Sequence, residues 1–493
     1  MKHRASKVTR RSVLKKAAAG AAALALPSWT AKSYAQIAGA NNAIRHAVIG
    51  CNDCGRAHIK QFMPIANLRL VGLCDVDTAV LDAAKPVMAA IDPTTDPVRY
   101  ADYRKVLDNK EIDTVSIATP NHWHALLTIT AVQAGKDVYI EKPICHNVWE
   151  GQQALAARDK YNRIVQAGTQ WRSMPAVQQA MAYAKSGAIG KIQVSRGFCY
   201  KRRATIGKTE GPQPIPSTVD YDLWCGPASN DPPRRTKFHY DWHWFWDTGN
   251  GDIGNQGAHQ MDLARWALGK QAFAPSVLTL GGRFGYVDDG QTPNTLMSVH
   301  DYGDSLLIFE VRGLPTKTGS NQMDRYKGAD VGNVIECENG YISISGRLSA
   351  AYDNAGKEIK RFSDNGVNAE YAHKQNFIDV VRSRKADQQK GPLVEGYLSS
   401  SLALLSNVSY QLGKQTDPDA IKAALSGSAP VADTFTRFQA HLDANGIKLD
   451  ADKAQLGMPL QVDVANQKFV NNDAANALLT RTYREPFVVR ESV

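Results

Sequence analysis

Beyond its first 35 residues the chain lacks any run of eighteen apolar residues, any internal repeat and any low-complexity tract. The first absence excludes a spanning helix there. Cysteine is scarce and scattered: seven residues, an odd number, at positions 51, 54, 74, 145, 199, 225 and 337. That excludes a disulfide framework and points to buried thiols. Excess charge is missing too. The net charge of +10 comes mostly from the first 35 residues, which hold eight of the 58 Lys and Arg and no acid. The remainder carries 50 basic against 48 acidic side chains, so a nucleic-acid partner loses its electrostatic support.

The N-terminus has what the rest lacks. TRRSVLKKAAAGAAALALPSWTAKSYAQ contains a twin arginine (Arg10, Arg11), a short apolar stretch from Ala17 to Leu26, and a small-x-small site at Ser33-Tyr34-Ala35. This predicts a twin-arginine export signal over residues 1–35 and a periplasmic or otherwise exported protein, carried already folded.

Chemistry begins at VIGCNDCGRAH, residues 48–58. The Cys51-x-x-Cys54 pair has no second ligand pair at zinc spacing; a thioredoxin-like site stays open as a rival. The stronger pattern is strand, glycine turn, helix, strand, acid. Gly50-x-Asn52-x-x-Gly55 follows an apolar run, and Asp75 ends the next one 20 residues beyond Gly55. That unit binds a dinucleotide, the helix start facing the pyrophosphate and the acid facing the ribose. Asn52 replaces the middle glycine, and Asn is expected there because it tolerates positive φ. Asp75 without an adjacent Lys or Arg favours NAD over NADP. Strands and helices then alternate to about residue 168, which predicts a doubly wound parallel sheet over 43–168.

TPNHWHA (119–125), EKPI (141–144) and GDIGNQGAHQMDLARWALG (251–269) together resemble the Gfo/Idh/MocA oxidoreductases, over most of the chain to about residue 415. The closing NALLTRTYREPFVV resembles exported members. The resemblance implies an N-terminal Rossmann domain followed by an α+β substrate domain over 169–415, with 416–493 as an extension. It implies cofactor contacts from Gly50, Asn52, Gly55, Asp75, Thr119, Pro120, Asn121, His124 and Glu141, and no metal. Lys142 would touch substrate and the nicotinamide region, His259 would act as acid and base, and Asp262 would assist. His124 reads equally as a satisfied helix-start histidine. The family's first acid of the second motif is Asn255 here, and an amide takes no proton.

At about 100° per residue, Asn255, His259, Asp262 and Trp266 share one arc of a helix, opposite Met261, Ala264, Ala267 and Leu268. A polar row of that kind suits a site. In FHYDWHWFWDTGNG (238–251) Trp242, Trp244 and Trp246 alternate, so a strand would place them on one face, for stacking on sugar rings or for a core or dimer contact. Trp244, Arg172 and Asn255 are candidate substrate contacts. His239 and His243 raise a metal reading without a carboxylate partner; Lys201-Arg202-Arg203 is either a solvated run or an anion site.

Residues 190–345 carry alternating strand signals, predicting an open, mostly antiparallel sheet with a face free for homo-oligomer contact. Residues 415–493 read as polar and loop-rich. The function expected is oxidoreduction of a sugar, polyol or glycoside with tightly held NAD. Two alternatives are a glycosidase working through transient oxidation and a non-catalytic sugar-binding protein.

Overall fold

The computed structural model describes residues 43–493 apart from Arg347. The expected export signal lies outside the described residues. From Ile44 to Ala167 strands and helices alternate: β1 (Ile44–Ile49), α1 (Asp53–Phe62), β2 (Leu68–Cys74), α2 (Thr78–Ala89), β3 (Val98–Tyr100), α3 (Tyr103–Asp108), β4 (Thr114–Ile117), α4 (His124–Gln133), β5 (Asp137–Ile140), α5 (Val148–Lys160) and β6 (Val165–Ala167). The six strands are parallel, in the order β3-β2-β1-β4-β5-β6. β4, β5 and β6 are buried at every residue, as strands with helices on both faces must be. The order reverses between β1 and β4. Loops leaving their carboxyl ends diverge there and open a crevice.

The second sheet has twelve strands. Its body is β7 (Ile192–Tyr200), β8 (Ser276–Gly282), β9 (Thr295–Asp301), β10 (Leu306–Arg312), β11 (Val331–Cys337), β12 (Gly340–Ser345), β13 (Leu348–Asp353) and β14 (Glu358–Phe362). Neighbours pair antiparallel except β7 and β10, which are parallel. Before, between and after these strands run α6 (Pro175–Lys185), α7 (Tyr221–Cys225), α8 (Gly251–Asn255), α9 (Gly257–Leu268), α10 (Ala369–Ser383) and α11 (Leu393–Gln411). One face of the sheet packs on α9 and α11: Leu307, Phe309 and Val311 of β10 meet Met261, Ala264, Leu402 and Ala403. Close approach is required there, since a Cβ on Gly197 would lie 2.9 Å from the Phe309 ring.

The extension corrects the sequence reading. It is not loop-rich. β15 (Lys414–Thr416), α12 (Pro418–Leu425), α13 (Ala429–Ala444), β16 (Ala454–Leu456) and β17 (Leu460–Asp463) follow α11, and β16 and β17 pair directly with β8. α13 lies on the sheet face expected to be free for oligomer contact. Val431, Phe435, Phe438 and Leu442 pack there on Val194, Met297, Val299 and Ile308. Each such side chain, fully buried, contributes roughly 1.5–3 kcal/mol.

Beneath α13 the carboxylate of Glu310 accepts from Arg437 at 2.8 and 2.9 Å and from the Tyr200 hydroxyl at 2.7 Å. Burial works to raise its pKa, but Arg437, Arg312 and Arg196 hold it below the usual value. A buried carboxylate supplied with partners from three elements fixes how α13 sits. Phe435→Ala is expected to cost about 3–5 kcal/mol, read as the urea midpoint at unchanged slope. A change within error would show that α13 contributes no core.

Candidate active site

The site forms where β1, β2, β4 and β5 end. After β1 the chain turns at Gly50, φ +83°. A Cβ there would stand 2.7 Å from the Ala118 carbonyl group, and one on Gly55 would stand 1.9 Å from the Gly50 oxygen. Both glycines are therefore demanded by backbone-on-backbone contact at the switch point. Asn52 differs from expectation. Its φ is −82° and its side chain makes no capping bond to α1, so the position needs no positive φ and the amide stays available beside the helix start. Helix-start N–H groups and their partial positive charge suit a pyrophosphate.

Asp75 follows β2. Its Oδ2 accepts from Cys51 N at 2.8 Å and its Oδ1 from Asp77 N at 3.0 Å. Burial raises its pKa against those two bonds. Each oxygen retains a lone pair for a ribose hydroxyl. Cys51 is fully buried among Val48, Leu73 and Val80, and burial pushes its thiol up. Cys54 is exposed and unbonded. A buried, protonated thiol is a poor attacking partner for its neighbour. Glycine cradle, helix start and Asp75 fit a dinucleotide.

Thr119, Pro120, Asn121, His124, Glu141 and Lys142 line the same cleft. His124 sits between two carbonyls: Nδ1 lies 2.6 Å from Pro143 O and Nε2 2.7 Å from Thr119 O. Its ring lies between the loop after β4 and the loop after β5 while still lining the cleft, the placement of the satisfied helix-start histidine that the sequence also offered. Asn121 Nδ2 donates to Asn250 Oδ1 at 3.1 Å. Glu141 accepts from His58 Nε2 at 3.0 Å and from Lys142 N at 3.3 Å. Burial opposes its charge, but the His58 bond, Lys142 and Lys374 keep it ionised, well below the carboxylate range. His58, whose pKa burial lowers, is the neutral donor. Glu141 thereby anchors the backbone of Lys142. The Lys142 ammonium crosses to the second domain and donates to Asn255 O at 2.7 Å.

The polar row on α9 separates on inspection. Asn255 ends α8 and lines the cleft. His259 is buried, its Nδ1 has no partner, and burial together with the Lys142 charge lowers its pKa to about 3. Asp262 and Arg172 are corrected from site residues to a buried ion network. Arg172 Nε and Nη2 donate to Asp262 Oδ2 and Oδ1 at 2.7 and 2.8 Å. Ser399 Oγ donates to the same carboxylate at 2.7 Å, and Glu395 takes Arg172 Nη2 at 2.9 Å. Arg172 also lies 5.0 Å over the Trp266 ring. Neither Asp262 nor Arg172 lines the cleft.

The aromatic segment is not a strand. Asp241–Trp244 is a 3-10 turn. Trp242 lines the cleft, whereas Trp244 is buried outside it, beneath the Arg203 guanidinium at 5.2 Å; its expected substrate contact is corrected accordingly. His239 Nε2 pairs with Asp77 at 2.8 Å. Among the described residues no group of three or more His, Cys, Asp or Glu is placed to hold a metal. Sequence reasoning took His243 only for a metal reading with His239; the structure places it in the cleft lining. Its Nδ1 faces Tyr240 O at 2.5 Å. A nitrogen facing a carbonyl carries the proton, so Nε2 is bare. Of the Lys201-Arg202-Arg203 run, Lys201 stands exposed at the cleft rim. Arg203 is held by Asp252 and donates to the Tyr240 hydroxyl at 2.8 Å. The density of Trp and His after residue 220 was the available signal.

Residues 44–169 match the family described as oxidoreductase, NAD-binding Rossmann fold, and residues 176–292 match its C-terminal alpha/beta domain. Levoglucosan dehydrogenase of Pseudarthrobacter phenanthrenivorans is 30% identical over 179 residues, 36% of this chain and 39% of that protein. A glycosyl hydrolase family 109 protein of Shewanella is 29% identical over 171 residues, 31% and 37% of the two chains. The matched segments thus span under half the length of these relatives. The fold is shared with the WlbA dehydrogenase of Bordetella pertussis, solved with NADH and UDP-GlcNAcA, at 19% identity and a TM-score of 0.54 over 74% of this chain and 95% of that one.

Burial lowers the pKa of nine histidines: His46, His58, His122, His124, His146, His243, His259, His300 and His373. Four of them, His46, His243, His259 and His300, titrate only at about 3. In the unfolded chain they protonate near pH 6.5. Below that pH the unfolded state binds more protons, so stability rises with pH in this window and falls as acid is added. The melting temperature is expected to drop between about pH 7 and pH 5; a flat profile by calorimetry would contradict the buried neutral rings.

The Rossmann unit of residues 44–169 with its glycine cradle and Asp75, joined to the α/β domain of residues 176–292 that brings Asn255 and His243 to the cleft, places this chain in the Gfo/Idh/MocA oxidoreductase family.

Proposed function

We propose that the protein oxidises or reduces a hydroxyl-bearing carbon of a sugar, polyol or glycoside, with NAD held between turnovers, and that it works after export by the twin-arginine route. The observation that carries the reading is the meeting of Lys142, Asn255 and His243 in the cleft that begins at the glycine cradle. Bound there, a nicotinamide supplies the two-electron partner. The chain's part is orientation and proton handling. Lys142, aimed by Glu141, polarises the substrate oxygen. The bare Nε2 of His243 takes or returns its proton. His259, buried and uncharged, leaves its Nδ1 without a protein partner. Trp242 and Trp224 give the cleft apolar walls against which a sugar face packs.

The Shewanella relative supports a second reading, a glycosidase that oxidises its sugar transiently and recovers the electrons. Both need the same cradle and the same proton group.

The first test is chemical. Protein purified without added nucleotide is denatured and the supernatant assayed; near-stoichiometric NAD(H) is expected, and Gly55→Ala should release none. An empty protein that also fails to bind added NAD sinks both readings. With a turned-over glycoside found by screening, Lys142→Ala and His243→Ala should each lower kcat by about 10²–10⁴. A full loss with His259→Ala and none with His243→Ala would move the proton role to His259. Free sugar released without absorbance change at the nicotinamide band selects the glycosidase. Export is tested by fractionation: processed protein outside the cytoplasm that stays inside after Arg10→Lys with Arg11→Lys supports it, and cytoplasmic retention of the unaltered chain overturns it.

A further inference from the structure

A second cavity of about 750 Å³ lies beside the cleft, joined to it by the bond between Asn121 and Asn250. Its floor is α11 at Asn407 and Gln411, one wall is the loop holding Ser229 and Asn230, and the other is the closing segment around Thr482. Nothing in the proposed chemistry uses it. We propose that this cavity binds a neutral saccharide unit, at a site separate from the one where oxidation occurs.

Three observations carry the proposal. The first is the division of the aromatic segment: Trp242 lines the catalytic cleft, while Trp246, four residues on, lines this cavity. An indole face beside amide and hydroxyl groups is the composition that holds a pyranose ring, apolar on its C–H face and polar at its edge. The second is that three polar groups at its mouth are open to a ligand: the side chains of Asn230, Gln411 and Thr482 line the cavity, are exposed to water and make no hydrogen bond to the protein among the described residues. The third is charge. Both arginines of the lining are already neutralised, Arg481 by Asp247 and Arg484 by Asp222. An anion would find no unpaired cation there, so a neutral ligand is favoured.

A hydrogen bond at Asn250 joins the cavity to the catalytic cleft. Asn250 faces the cavity, accepts from Asn121 of the cleft at 3.1 Å, and donates to His146 O at 3.1 Å. Asn407 donates to Asn250 O at 3.1 Å. A sugar seated on Asn407 or Asn250 would therefore be felt at Asn121.

The test is binding, not turnover. Dinucleotide-loaded Lys142→Ala protein is titrated with glucose, N-acetylglucosamine and maltose, followed by saturation-transfer NMR. At least one probe is expected to bind, with Trp246→Ala weakening it tenfold or more and Trp242→Ala leaving that component in place. Should Trp246→Ala not fold, the pair Asn230→Ala and Thr482→Val carries the same expectation. Binding lost with Trp242→Ala but kept with Trp246→Ala overturns the proposal, as does the absence of binding by every probe. A chain that binds sugar through Trp246 but turns over no glycoside keeps this inference and loses the proposed function.

Discussion

Asp262 is cut off from water, and its charge has to be met inside the protein. Arg172, just past β6, meets it with two parallel bonds; Ser399 of α11 adds a third, and Glu395 of α11 shares the arginine. Desolvating a carboxylate costs several kcal/mol, which only good geometry with every lone pair used can offset. The arrangement therefore tolerates little displacement. It fixes α9 against the end of the first domain and against α11 together. Removing Arg172 would leave Arg265, 3.8 Å from the carboxylate, as its remaining cation, at a cost of up to about 3–5 kcal/mol.

The site follows from that constraint. α8 and α9 are consecutive, so holding α9 holds Asn255, and the Asn255 carbonyl is what Lys142 reaches across the crevice. From the other side Lys142 is set by Glu141, whose carboxylate is set by His58. A Cβ on Gly168 would lie 2.9 Å from Glu141 Oε1, so the end of β6 leaves room for that carboxylate. The cradle at Gly50 is equally crowded. Side chains placed on short, fully bonded elements of this kind are pre-organised, which is what a site on a rigid scaffold requires.

Most of the first domain was legible because its signals are local. Gly50, Gly55 and Asp75 sit at fixed chain distances, and buried strands read as apolar runs. Asp262 was not legible as a structural ion, since a 100° wheel shows that a residue shares a face with His259 but cannot show that Arg172, 90 positions away, waits on that face. The same limit hid which carbonyls, those of Pro143 and Thr119, lie beside the His124 ring. The extension is a different case. Val431, Phe435, Phe438 and Leu442 stand at helical spacing behind Ser428 and Pro430, so α13 was written in the chain; polar composition around it masked the stripe. What no local pattern revealed is its partner, a sheet face whose strands lie more than a hundred residues earlier.

The segment from Trp242 to Trp246 shows how one wrong period changes function. Read as a strand, residues two apart share a face, and three tryptophans become one platform. In a 3-10 turn successive residues step by about 120°, so Trp242 and Trp244 diverge. Trp242 then reaches the cleft and Trp244 goes under Arg203. Phe245 leaves the turn extended, at φ −112° and ψ 132°, and carries Trp246 to the lining of the second cavity. Gly249 closes the excursion: a Cβ there would lie 2.4 Å from the His243 oxygen, so the chain returns tightly on the turn it left. One short stretch thus supplies an aromatic to each of two cavities. His243, held between Trp242 and the Tyr240 carbonyl, is fixed by the same turn.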